Sequence, residues 1–394
     1  MRNRIILLAT ASTLAACSGT GPQTAGGTAS PTNPAATHSF VNPTEKRTYN
    51  AIGGTQKYSY YTTSISTSQR GQVYAGNAST ARNSGISISY DPRDAIFELT
   101  INDPQSSASD TLRFQDPLHR TDFGGARQPQ DGTPRLSANG IYYLQAGGSS
   151  GDIVYDPNQS TTFPTGNANA SRDVSTFFYQ KPGTETNYVT FAGFVRNKTD
   201  IASVQTQQGL DYLQQNNMLE RAAFAYGERS DNGAVPLTGT GSYSGAMIAS
   251  TVYNPLLDTN ASTPSYFQWV EGRATTTIDF GAKTFTLGLT GSVFAPQFDV
   301  NTSRIYTLQE GATFAATGSG KIDLVGSGGF AGQFNSASFT QPGGQKIDLS
   351  IAGSSIDGAF YGPTAQEVGG GFRIVGAVPD QRVDMLGAFV GKKQ

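Results

Sequence analysis

Side chains in residues 274–289 take turns between two faces. Ala274, Thr276, Ile278 and Phe280 share one face, Gly281-Ala282 turns the chain, and Phe285, Leu287 and Leu289 carry the pattern back. A period of two belongs to a pleated strand, whereas one face of a helix repeats every 3.6 residues, so this texture commits the segment to sheet. The same alternation recurs earlier. Ile86, Ile88 and Tyr90 alternate with Ser87 and Ser89, Asp91-Pro92-Arg93-Asp94 reverses the chain, and Ala95, Phe97, Leu99 and Ile101 alternate with Ile96, Glu98, Thr100 and Asn102. A second hairpin runs from Thr176 to Gln180, through Lys181-Pro182-Gly183-Thr184, and back along Tyr188 to Arg196. Glycine, at 47 of 394 residues, suits the tight turns between such strands because it opens positive φ. The chain reads as all-β.

One stretch departs from this. In Thr199 to Glu220, Val204, Leu210, Leu213 and Met218 sit at loosely helical spacing in a Gln/Asn-rich context with Gly209, which predicts a weak helix or a long loop. From about Ala234 the strands shorten and glycine becomes denser, placing a domain boundary between Ser230 and Pro236. Ser242–Ser250, the pair at 274–289, Lys321–Val325, Phe330–Phe339, Lys346–Ile351, Gly358–Tyr361, Gly370–Ile374 and Arg382–Val390 make eight or nine strands. A meander of this kind closes into a small antiparallel barrel, because closure removes the unpaired edges.

The N-terminus carries an address. Arg2 and Arg4 precede the apolar run that begins Ile5-Ile6-Leu7-Leu8-Ala9, and Leu14-Ala15-Ala16-Cys17 resembles the bacterial lipobox, in which the thiol is acylated and becomes the new N-terminus after cleavage. The run is shorter than the ~20 residues of a spanning helix. Cys17 is the one cysteine in the chain, so no disulfide can form within it, and lipid attachment is its evident chemistry. Ser18 follows where Asp would favour inner-membrane retention, which points to the outer membrane. Residues 18–44 are mostly Gly, Ser, Thr, Pro, Ala and Asn, too polar to offset chain entropy. The expected organisation is a signal peptide at 1–16, lipidated Cys17 and a tether to 46, a β-rich domain at 47–233 and a barrel at 234–394.

Residues 356–372, Ile356-Asp357-Gly358-Ala359-Phe360-Tyr361-Gly362-Pro363-Thr364-Ala365-Gln366-Glu367-Val368-Gly369-Gly370-Gly371-Phe372, resemble the signature barrel hairpin of the transferrin-binding protein B family of surface lipoproteins. Gly239-Thr240-Gly241-Ser242-Tyr243-Ser244-Gly245 is similar to that barrel's opening strand, and Tyr188–Phe194 with Phe224-Ala225-Tyr226-Gly227 resembles the handle domain that precedes it. The resemblance implies a β-rich handle followed by an eight-stranded barrel. It also implies a tethered capture protein for a protein, metal-carrier or solute ligand, serving nutrient or iron acquisition beside a TonB-dependent outer-membrane transporter. The relatives that named the family have two such lobes and this chain has room for one, so transferrin itself does not follow. The alternative is a structural or adhesive envelope lipoprotein. Independently of any ligand, Gly362-Pro363 allows a sharp strand exit, Glu367 can accept hydrogen bonds from loop amides, and Gly369-Gly370-Gly371 lets strands approach closely.

Other chemistry is poorly served. With 27 basic and 29 acidic residues there is no electrostatic footprint for nucleic acid. Gly147-Gly148-Ser149-Ser150-Gly151 satisfies the G-x-S-x-G pattern of a hydrolase, yet His38 and His119 both precede it. Gly326-Ser327-Gly328-Gly329-Phe330-Ala331 is followed by strands rather than a crossover helix, and Gly318-Ser319-Gly320-Lys321 has Ala315 where a phosphate loop needs Gly. Two histidines and one acylated cysteine do not assemble a zinc or copper site. No catalytic residue, metal ligand or cofactor is expected. If the function is recognition, aromatic anchors should carry it, and Tyr266, Phe267 and Trp269 are the leading candidates, with Tyr60-Tyr61 and Tyr142-Tyr143 behind them.

Overall fold

The computed structural model describes residues 39–76, 84–103, 108–115, 132–150, 168–209, 211–254, 266–294, 308–326, 328–378 and 381–394. Cys17, the lipobox residues Leu14, Ala15 and Ala16, and both histidines lie outside them. In chain order the first strands are β1 (Arg47–Asn50), β2 (Ile52–Thr63), β3 (Ser66–Gly76), β4 (Ile86–Asp91), β5 (Ile96–Asp103), β6 (Ala108–Gln115), β7 (Ile141–Ser150), β8 (Ser171–Gln180), β9 (Val189–Gln205) and β10 (Asp211–Gly227). Then follow β11 (Thr240–Asn254), β12 (Tyr266–Asp279), β13 (Thr284–Phe294), β14 (Thr313–Asp323), β15 (Gly329–Thr340), β16 (Lys346–Asp348), β17 (Ile351–Tyr361), β18 (Glu367–Val378) and β19 (Gln381–Lys393). The fold is all-β, as expected.

β11 to β19 form the barrel. Their order is β14-β13-β12-β11-β19-β18-β17-β15, and a β14–β15 ladder closes the ring of eight. β16 pairs with the end of β15 while β17 pairs with its start, so the two short partners share one place in the wall. Where the ladder is irregular, the Ser354 hydroxyl accepts from the Phe334 amide at 3.0 Å. Ala274, Thr276, Ile278, Phe285, Leu287 and Leu289 are buried, which is the face their alternation specified. Facing strands fill the interior with Phe314, Phe330, Phe372 and Phe389.

The N-terminal strands make two sheets, β1-β4-β5-β6 and β3-β2-β10-β9-β8-β7. The six-stranded sheet is the middle layer of the molecule. On one side Phe177, Phe194, Phe224 and Tyr226 pack against Ile88, Phe97, Leu99 and Phe114 of the four-stranded sheet. On the other, Ile52, Phe191, Val195, Ala223 and Ala225 pack against Ile248, Trp269, Tyr361, Leu386 and Val390 on the outer wall of the barrel. Ala222 to Tyr226 therefore reads as an unbroken small-and-aromatic run because alternate side chains enter two different cores. Burial of each large apolar side chain contributes ~1.5–3 kcal/mol, against ~0–1 kcal/mol for exposed ion pairs such as Lys46–Glu98. Apolar packing holds the layers together.

Two readings of the sequence change. Thr199 to Glu220 is neither helix nor loop: it is the outer half of the β9–β10 hairpin, turning at Thr206–Gly209 with Gly209 at φ +79°. Its Gln and Asn residues have low strand propensity, but β10 is laddered on both sides, to β2 and β9, and that pairing overrides local preference. Residues 39–46 belong to the fold rather than the tether, since Phe40 is buried edge-on against Tyr49 (5.3 Å) and Tyr226 (5.8 Å).

The barrel and the middle sheet touch backbone to backbone at one point. A Cβ on Gly371 would lie 2.7 Å from the Gly53 Cα and 2.9 Å from its N, a separation no side chain tolerates. Gly371→Val should push the layers apart and destabilise the chain by about 1–3 kcal/mol or more, the usual cost of overpacking. Thermal unfolding followed by circular dichroism checks this, with Gly343→Ala, where the added Cβ meets nothing within 4 Å, as the silent control.

Candidate binding surface

The hairpin that carries the family resemblance is a fastening. Glu367, fully buried on the outward face of β18, accepts from the amides of Asn187 (2.7 Å, Oε1), Tyr188 (2.7 Å, Oε2) and Val189 (3.2 Å, Oε2). These are the loop amides entering β9, so one barrel carboxylate caps the start of a middle-sheet strand. Gly362, at φ +82°, leaves room for the Tyr188 ring, which a Cβ would meet at 2.6 Å. The Tyr243 hydroxyl ties the turn down by donating to the Ala365 carbonyl at 2.8 Å. Burial pushes the Glu367 carboxyl above its ordinary range, while the three amides and Lys392 pull the other way.

Further along the same interface, Arg373 grips the buried carboxylate of Asp384 with two hydrogen bonds, Nε to Oδ1 at 2.9 Å and an Nη to Oδ2 at 2.7 Å. Gln56 of β2 donates to the Asp384 carbonyl at 3.0 Å. The expected recognition aromatics lie here too. Trp269 is 0% exposed, its indole N–H donates to the Gly132 carbonyl at 2.9 Å, and its ring stands edge-on to Phe178 at 5.5 Å. Phe267, 1% exposed, lies between Tyr58 and the Arg221 guanidinium, 5.3 Å from its ring centre. Both fill the seam between sheet and barrel rather than standing on a projecting surface. Tyr266 opens β12 opposite Tyr253.

Tyr142 and Tyr143 are also internal fittings. Tyr142 stacks on Tyr179 at 5.8 Å. The Tyr143 hydroxyl donates to the Pro134 carbonyl (2.8 Å) and accepts from the Leu136 amide (3.0 Å). The strap so held is fixed to the barrel by Glu271, whose carboxylate accepts from the amides of Ser137 and Ala138.

Among the described residues, the outer half of the middle sheet is the candidate surface that gathers aromatic and amide side chains. The chain enters at Phe40, beside Tyr226 at the inner end of β10. The tip of the β2–β3 hairpin meets β10 thirteen residues away at Leu213, where Ser64 and Leu213 exchange hydrogen bonds. At ~3.3 Å per residue these points are on the order of 40 Å apart. Ile65 at the tip is 72% exposed. Nearby, Tyr60, Tyr61, Tyr212, Gln214, Gln215 and Asn216 are half-buried, and the Tyr61 ring lies over Gly71, where a Cβ would meet it at 2.6 Å. Tyr60-Tyr61 was legible in the sequence as a pair of candidate aromatic anchors; the amide-rich run of β10 was missed because its strand character was.

Residues 235–393 match the family model of the C-lobe and N-lobe beta barrels of Tf-binding protein B. The C-terminal barrel is similar to the barrels of that family. Among solved structures the chain is similar to a double mutant of transferrin binding protein B from Haemophilus parasuis Hp5, at 14% identity over 89% of this chain and 76% of that one with a TM-score of 0.28. It is similar to the intact Ap-TbpB with N and C lobes at 13% identity, over 89% and 80%, with a TM-score of 0.28. The isotype 1 protein from serogroup B Neisseria meningitidis gives 12% identity over 89% and 77%, with a TM-score of 0.23. Comparison with curated proteins finds no match.

Two outcomes follow from this geometry. Glu367→Ala strands three amides and should lower stability by about 1–3 kcal/mol. Because the folded state holds the Glu367 proton more firmly than the unfolded chain, wild-type stability gains as pH falls through the raised pKa and loses as pH rises through it. The alanine variant should lack that slope in pH-dependent melting. The fluorescence of Trp269 should be blue-shifted and resist quenching by acrylamide; a red-shifted, readily quenched emission contradicts its place in the seam.

Proposed function

We propose that this chain is a surface lipoprotein, held to the outer membrane through acylated Cys17, that captures an external ligand at the outer end of its middle sheet. The observation that carries this reading is the separation of the two ends. The leader meets the folded body at Phe40, on the order of 40 Å from the β2–β3 and β9–β10 hairpin tips, so a tether there presents the tips away from the bilayer. The match of residues 235–393 to the family model of Tf-binding protein B barrels adds support. Residues 1–16 serve as the signal peptide, 17–38 as lipidated anchor and leash, 39–233 as the handle-like module and 234–394 as the barrel. The role is ligand delivery rather than catalysis, serving nutrient or iron acquisition beside a TonB-dependent transporter. Among the described residues no three His, Cys, Asp or Glu converge as a metal site.

The test uses the soluble chain from Ser18 to Gln394 as bait on growth medium and membranes, read by mass spectrometry. A specific ligand should be retained by wild type and lost with Ile65→Asp at unchanged melting temperature. Intact-mass analysis of the native product should show a diacylglyceryl adduct at the new N-terminal Cys17; an unmodified thiol removes the anchor from the scheme.

A further inference from the structure

The barrel-facing side of the outer sheet carries an uncharged strip whose hydrogen bonds do not balance. Strand alternation places Tyr60 and Thr62 of β2, Gln215 and Asn217 of β10, and Thr199 of β9 on this face, with Asn217 directly between Tyr60 and Thr199, and Gln215 beside Thr62. The Gln215 side-chain NH₂ donates to Asn217 Oδ1 at 2.8 Å, and the Thr199 hydroxyl donates to the same oxygen at 3.1 Å. Gln215 Oε1 and Asn217 Nδ2 are left enclosed and without partners. Asn217 is only 8% exposed, so its idle donor is costly, whereas Gln215, Thr62, Tyr60 and Thr199 are half-open to the surface. Turning both amides over exchanges their roles and still leaves one donor and one acceptor idle.

The chemistry of the strip narrows the ligand. Main-chain groups of β10 are laddered on both sides through this stretch, so a peptide cannot add here as another strand. None of the five side chains is charged, which gives phosphate or a metal ion nothing to pair with; Arg172 extends the row only beyond Thr199. A sugar hydroxyl both donates and accepts, and two on adjacent carbons answer an idle donor and an idle acceptor at once when the half-open Gln215 side chain turns outward to admit them. The Tyr60 ring, cross-strand neighbour of Asn217 and packed on Tyr58 at 5.4 Å, offers an apolar plate to the C–H face of such a ring.

We propose that Tyr60, Thr62, Thr199, Gln215 and Asn217 form a carbohydrate subsite that binds a neutral pyranose through vicinal hydroxyls. It rests on the reading that the outer sheet end is the capture surface, and names the ligand class taken there.

The test titrates glucose, galactose, mannose, N-acetylglucosamine and N-acetylgalactosamine into the full mature chain, read by saturation-transfer NMR. At least one should bind, and Asn217→Leu and Gln215→Met, which keep shape and remove polarity, should each weaken it by about tenfold, the equivalent of one hydrogen bond. If Asn217→Leu fails to fold, half-exposed Gln215→Met still decides. No binding by any of the five sugars, or binding that both variants leave unchanged, overturns the subsite. Capture of a ligand that Ile65→Asp abolishes, with no sugar bound, sinks the carbohydrate claim alone. Capture that Ile65→Asp leaves intact removes the capture surface beneath it.

Discussion

Everything in this molecule depends on a six-stranded sheet that is buried on both faces along its inner half. A sheet in that position cannot choose one polar side, so β9 and β10 present apolar side chains to both neighbours, Phe194, Phe224 and Tyr226 toward the four-stranded sheet and Phe191, Ala223 and Ala225 toward the barrel. Phe194 and Phe224 fill the first core; Ala223 and Ala225 let the barrel wall come close. The limit is reached where Gly53 and Gly371 meet without side chains. Polar contacts across this seam are few but specific: Glu367 caps the entry to β9, and Gln56 meets the β19 main chain. They set register on a contact whose free energy is mainly apolar.

That inner packing leaves the outer half of the same sheet free for other work. β9 and β10 are each 17 residues long, and the two-sided core uses only their inner portions. Beyond it the sequence changes from Ala and Phe to Gln, Asn, Thr and Tyr while the ladder continues unbroken. A rigid platform with polar faces is thus built as an extension of the core, and the proposed recognition groups on it would be held more firmly than on a loop. The barrel's part is to anchor that platform from below.

Much of the fold was legible in the chain. Alternation in residues 86–101 and 274–289 gave strands with the right faces because each has one buried side, which is the case period-two patterning describes. The glycine run at 369–371 announced close approach, and Glu367 announced a cap, because few other roles suit those residues beside a turn. Phe267 and Trp269 were legible as candidate recognition aromatics, and the structure gives them to packing in the seam. An aromatic on the outward face of a barrel strand looks identical in sequence whether that face meets water or another layer. Thr199 to Glu220 was obscured for the converse reason: amide residues carry no alternation of polarity, so a strand with two polar faces leaves no periodic trace.

The sequence by itself determined the all-β character, the candidate acylation point at Cys17, and the barrel hairpin with its glycines and its capping glutamate. These are local properties, set by side-chain chemistry and by backbone freedom at particular positions. Only the tertiary structure decided that the barrel's outer wall is a core surface, that Trp269 seals it, and that Asn217 and Gln215 sit side by side with hydrogen-bonding groups to spare. Such facts depend on which strands become neighbours, and pairing between segments more than a hundred residues apart is settled by the sum of many weak contacts rather than by any one stretch of chain.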